Sequence, residues 1–179
     1  RKIGEAFKDE RMIKLARSLA SAASKKIEQC YDKKRKVYTQ AIGTDNLDAS
    51  NLQLILMNYL NPDSEKAKDH LIAMERELKS KEGLFYRYLH QDDFGAPETT
   101  FLICAFWYVE SLTSVGRIDE AIESFENLVQ FGNHLGLLSE DVEAKTGSMW
   151  GNFPQAYSHV GLVNAAYRIS RKLDRPNFI

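Results

Sequence analysis

The sequence predicts an all-α protein whose helices form a double-layered arc of about three inner and outer antiparallel pairs. Three observations lead there. Helices with one apolar face alternate along the chain with helices that are apolar all round. The links alternate as well, short from an inner helix to the outer one after it and long on the way back. The composition, 44% hydrophobic and 27% charged over 179 residues, provides for one sizeable core, in one ordinary domain or a piece of a larger one.

The first helix, over about 9–31, places Met12, Ala16, Leu19, Ala23, Ile27 and Cys30 at steps of three and four, with Arg17, Ser21, Lys25 and Glu28 opposite. The second, 48–59, carries no charge after Asp48. The third follows Asn61-Pro-Asp63, where proline presets φ for helix entry, and shows the stripe Ala67, Leu71, Met74, Leu78. The fourth contains Phe101-Leu-Ile-Cys-Ala-Phe-Trp-Tyr-Val109, apolar on every side. The fifth follows Gly116 and sets Ile118, Ala121, Ile122, Phe125, Leu128 and Val129 on one side. The sixth, 154–169, carries Ala156, Tyr157, Val160, Leu162, Val163 and Ala165. A helix apolar on every side must be covered on every side, so the even-numbered helices are inner and the odd-numbered ones outer.

The links at 60–63 and 114–116 are short, whereas those at 32–47, 80–97 and 132–153 are long. Successive helices run antiparallel, so the three long links emerge at one end. Long loops in compact domains are uncommon unless they work, and function gathers on loops held by a rigid scaffold. A site is therefore expected at that end. The alternative is a non-catalytic helical-repeat interaction module, since Ala121 and Phe125 match the Ala-x-x-x-Phe of a tetratricopeptide-type repeat. The ~34-residue period and short turns of that repeat suit the wider, irregular spacing here poorly. A terpene-cyclase-like α/α barrel would bring Asp-rich metal motifs that the sequence does not show.

A net charge of −1 gives no reason to expect nucleic acid or an anionic membrane as partner. There is no signal-peptide pattern and no apolar run of ~20 residues. Cys30 and Cys104, the only cysteines, read as small core residues of a reducing, cytoplasmic compartment. The four histidines are scattered, and neither a metal centre nor a cofactor is expected. The chain opens on Arg1 rather than Met, from which we expect it to continue a longer polypeptide.

The long links carry the candidate chemistry. Asp48 sits where it caps the second helix, and Asp45 fits a reach into the cavity and an ordinary turn equally well. Gly83-Leu-Phe-Tyr-Arg-Tyr88 puts Arg87 between two tyrosines. That arrangement suits a sugar, with guanidinium donors for hydroxyls and rings for pyranose faces, or else a surface arginine beside loop-packing aromatics. Glu98 has the position of a helix-capping carboxylate. Gly136-Leu-Leu-Ser-Glu140 sets a carboxylate behind an apolar pair, near Trp150, Phe153 and Tyr157.

These stretches, with Leu47-Asp-Ala-Ser50, Glu98-Thr-Thr-Phe-Leu-Ile-Cys-Ala-Phe-Trp107, Gly116-Arg-Ile-Asp-Glu-Ala121 and Gly151-Asn-Phe-Pro-Gln-Ala-Tyr-Ser-His-Val160, resemble glycoside hydrolase family 15, the glucoamylases, glucodextranases and trehalases. The resemblance runs from about Leu15 to Leu173. It implies an (α/α)6 barrel, of which 1–179 would be the C-terminal half of the catalytic domain. It also implies inverting hydrolysis by two carboxyl groups about 6.5–9.5 Å apart. On that resemblance Glu140 is the general base, Arg87 binds substrate hydroxyls, and Glu98, Tyr157 and His159 line the cavity. The general acid of the family opens a loop with a Trp-Glu pair; here Trp107 and Trp150 precede Tyr108 and Gly151, so that segment is absent. The expected partners are a glucose disaccharide or oligosaccharide and the missing N-terminal half. The end helices are expected to expose apolar flanks, through which the chain would self-associate.

Overall fold

The computed structural model describes residues 2–93 and 95–173. The first predicted helix, over 9–31, is present as α2 (Glu10–Glu28), and a short helix that the pattern does not predict, α1 (Lys2–Phe7), precedes it across a break. The break falls at Lys8, whose φ is +54°, and Asp9 restarts the chain by accepting the Met12 N–H at 2.9 Å. A two-residue hairpin follows, β1 (Tyr31–Asp32) with β2 (Val37–Tyr38). The second predicted helix is shorter than its pattern. It consists of a 3-10 turn over Ala49–Leu52 and α3 (Gln53–Leu56). Asn58, at φ +56°, stops it in a left-handed turn that asparagine tolerates. Then come α4 (Glu65–Leu78), β3 (Thr100–Phe101), α5 (Leu102–Val115), α6 (Ile118–Val129), β4 (Asp141–Val142), β5 (Met149–Trp150) and α7 (Ala156–Lys172).

The architecture is all-α, a partial (α/α)6 toroid with α3, α5 and α7 inside and α2, α4 and α6 outside. Helix α5 is its axis of packing, touching α3, α4, α6 and α7. Apart from Trp107, every residue from Leu102 to Ser114 is buried, as an all-round apolar helix requires. Its buried hydroxyls are satisfied within the helix: Ser111, Thr113 and Ser114 donate to the carbonyls of Trp107, Val109 and Glu110. Helix α7 lies close against it because residue 161 is glycine. A Cβ there would stand 2.7 Å from Ile103 Cδ1 and 2.9 Å from Phe106 Cβ.

The three long links meet at one rim. Strands β3, β4 and β5 form a small antiparallel sheet, with Thr100 opposite Val142 and Asp141 opposite Trp150, which ties the second link to the third. The first link joins through Ala49, whose N–H donates to the Arg87 carbonyl at 2.7 Å. Periodicity of the helices gives no warning of strands this short.

The coverage of the end helices differs from the pattern. The sixth predicted helix should be covered all round, yet α7 leaves Tyr157, Val160, Val163 and Tyr167 about half exposed. On α2, Met12, Leu15 and Leu19 are exposed and only Ile13 is fully buried.

Candidate active site

At the shared rim a cavity of about 310 Å³ is lined by Arg87, Tyr88, Asp92, Thr99, Phe101 and Glu140, among others. It brings together the two residues on which the sugar reading rests. Arg87 is 56% exposed and its Nε donates to Asp48 Oδ2 at 3.4 Å. Among the described residues its two terminal nitrogens carry no hydrogen bond, so both remain available as donors. Asp48 is only 13% exposed and has two tasks. Its Oδ1 caps the 3-10 turn by accepting the Ser50 N–H at 2.8 Å, while Oδ2 orients the arginine. The guanidinium lies 5.8 Å from the Tyr88 ring centre, and the Tyr88 hydroxyl donates to Asp92. Of the two tyrosines flanking Arg87, only Tyr88 lines the cavity.

Glu140 is half-buried. Its Oε2 accepts from Asn152 twice, from the backbone N–H at 3.1 Å and from Nδ2 at 2.7 Å. The neighbouring Asp141 also reaches the cavity. Burial pushes its carboxyl above the usual aspartate range, the Glu140 charge adds to this, and the Thr99 hydroxyl, donating at 2.7 Å, works the other way. The site thus sets a cationic donor group and a pair of adjacent carboxyls, with Tyr88 and Phe101, around a small open space. That chemistry suits a neutral, hydroxyl-rich ligand and a water.

The remaining predicted residues lie elsewhere. Glu98 is exposed and does not line this cavity. Pro97, Thr99 and Phe101 do, and in extended chain alternate residues face opposite ways, so Glu98 points out. Nor does it cap α5, whose N-cap is Phe101. Tyr157 borders a larger hollow of about 1040 Å³ on the concave face of α3, α5 and α7, together with Gln53, Ile103, Trp107 and Arg168. Its ring meets Phe101 and Trp107 edge-on at 6.5 and 6.0 Å. His159 lies in an adjoining apolar hollow of about 560 Å³ with Leu137, Pro154 and Val163. Both its ring nitrogens are buried without a hydrogen-bond partner among the described residues. One helical step of two residues turns the side chain by about 200°, so Tyr157 and His159 border different hollows. Asp45 is exposed. Asn152, Thr99, Asp141 and Phe101 are the site residues that the pattern alone does not single out.

The family model for glycosyl hydrolases family 15 matches residues 2–167. The chain belongs to that family. Family 15 relatives include the trehalase of Thermoplasma volcanium, 35% identical over 162 residues, which is 90% of this chain and 26% of that protein. The trehalase of Mycobacterium tuberculosis is 39% identical over 140 residues, 76% of this chain and 20% of that one. The chain thus spans about a quarter or less of the length of these two trehalases. Among solved structures, a bacterial glucoamylase complexed with acarbose superposes with a TM-score of 0.78 at 18% identity, covering 98% of this chain and 32% of its own. A glycosidase gives 0.77 at 15% identity, over 92% of this chain and 47% of its own. At such identities these two bear on the fold, and they place the family 15 chain among α/α toroids rather than linear helical repeats. Among its described residues, no helix is long and apolar enough to cross a membrane.

Proposed function

We propose that this family 15 chain is the base-carrying part of an inverting α-glucosidic hydrolase and that trehalose is its first substrate to try. The single observation that carries the reading is the convergence of Arg87 and Glu140 on one cavity where the three long links meet. The trehalase relatives point to a glucose disaccharide. In the reaction, water bonds to the anomeric carbon from the face opposite the leaving oxygen, and Glu140 takes its proton through Oε1. A general acid protonates the leaving oxygen as the glycosidic bond breaks, and the sugar is released with inverted configuration. Arg87 holds substrate hydroxyls beside that carbon. The acid comes from a further stretch of the same polypeptide, which also packs on the uncovered faces of α2 and α7. The chain alone is therefore inactive, and it associates with copies of itself through those faces when that stretch is missing. The free thiols of Cys30 and Cys104 accord with a cytoplasmic setting.

The test is glucose release from trehalose, maltose and maltooligosaccharides by the intact polypeptide, meaning this chain together with the stretch that supplies the acid. Hydrolysis of trehalose is expected, with the glucose from the attacked unit appearing first as the β-anomer. No release from any of the three sugars would overturn the reading.

A further inference from the structure

We propose that Asn152 is the positioning residue of the base, gripping Glu140 by one oxygen and leaving the other to the water. This rests on the reading of Glu140 given above. All the side-chain hydrogen bonds of Glu140 among the described residues fall on Oε2, and both come from Asn152, one from the backbone N–H at 3.1 Å and one from Nδ2 at 2.7 Å. Two donors on a single residue, arriving at one oxygen, fix the rotation of the carboxylate plane. One donor would leave it free to turn.

The main chain completes the grip. The Glu140 N–H donates to the Asn152 carbonyl at 2.9 Å, and the Glu140 carbonyl accepts the N–H of Leu102, the first residue of α5, at 3.1 Å. Glu140 is thus held between the start of the best-packed helix and the turn at 151–152. That turn lies against the side chain. Gly151 has φ +76°, and a Cβ there would stand 2.9 Å from both Cβ and Oε2 of Glu140. Only glycine combines that backbone angle with that approach. Asn152 needs the close approach, because its backbone N–H reaches Oε2 only when residue 151 has no side chain.

A base must meet its water in a narrow range of positions, and an error of about 1 Å costs on the order of 10²-fold in rate. In the intact enzyme, Asn152→Ala is expected to lower kcat by about 10–100-fold while KM and the melting temperature stay near the parental values. Asn152→Asp, nearly identical in shape, loses the Nδ2 donor and brings an acceptor against Oε2, so its kcat falls at least as far; it also keeps the test alive if the alanine variant folds badly. In a Glu140→Gln background, Asn152→Ala has no further effect on kcat, because the two residues act as one unit. Parental kcat in both Asn152 variants, a rise in KM with kcat unchanged, or a loss that adds fully to that of Glu140→Gln would each overturn the assignment. If Glu140→Gln itself leaves turnover intact, the reading of Glu140 as base is what has failed, and the two failures are told apart in one experiment.

Discussion

Replacing Glu140 by glutamine lowers kcat of the intact enzyme by about 10²–10⁴-fold, the range for removing one general acid–base group, and leaves sugar affinity close to parental. The split follows from the geometry. Glutamine keeps the size of the side chain and an oxygen for the Asn152 donors, which reach Oε2 at 2.7 and 3.1 Å, so the wall of the cavity is preserved. What is lost is the capacity to take a proton from water in the transition state, an interaction absent from the ground state and so invisible in binding. Arg87 contrasts with it. It lines the cavity with its terminal nitrogens unpaired among the described residues, and its contacts to a ligand would be made before and during reaction. Steady-state kinetics with calorimetric binding of the unhydrolysed sugar separates the two effects. Undiminished turnover in Glu140→Gln removes that carboxylate from the chemistry.

The largest effect on stability is expected at the inner face, far from the rim. Glu110 of α5 is 6% exposed, and its Oε2 accepts from Arg168 Nε of α7 at 3.2 Å. Burial pushes the Glu110 carboxyl above the usual range, with Arg168 opposing that shift. Arg168→Met strands the buried carboxylate and lowers the stability of the chain by about 3 kcal/mol, the lower end for a broken buried pair because Arg168 still meets solvent. The melting temperature falls by roughly 6–12 °C for a chain of this size. A carboxyl whose folded-state pKa is raised binds its proton more tightly folded than unfolded, so its contribution is favourable at low pH and is lost as pH rises through the folded pKa. The deficit of Arg168→Met relative to the parent is therefore smaller near pH 4 than at pH 7. Adding Glu110→Leu recovers most of it, since an apolar pair needs no charge compensation. Thermal unfolding at the two pH values checks both points; an equal deficit at each would show that lost packing, not the stranded charge, is responsible.

The arc was legible because burial leaves a strong trace in helices. No residue of 102–109 is charged, and all but Trp107 are buried in α5. The alternation of link lengths correctly put the long loops at one rim, since antiparallel packing allows no other arrangement. Arg87 and Glu140, singled out by their surroundings in sequence and by the resemblance together, line one cavity. The side-chain directions of Glu98, Tyr157 and His159 were not legible. They depend on the pleat of 97–101 and on the angular position of each residue around α7, which a shared motif does not specify. Asn152 does not stand out in the sequence, because an asparagine after a glycine reads first as a turn. Its second role appears only when the 151–152 turn is seen against Glu140. The pattern also predicts that α7 is covered all round, whereas Val160 and Val163 are exposed.

The most direct measurement is azide rescue of Glu140→Ala in the intact enzyme with α-glucosyl fluoride, whose fluoride leaves without needing a proton. Azide enters the space from which the base would have held water, bonds to the anomeric carbon as the C–F bond breaks, and restores turnover with β-glucosyl azide as product. No rescue, or formation of the α-azide, would mean that Glu140 does not face the carbon from the side opposite the leaving group.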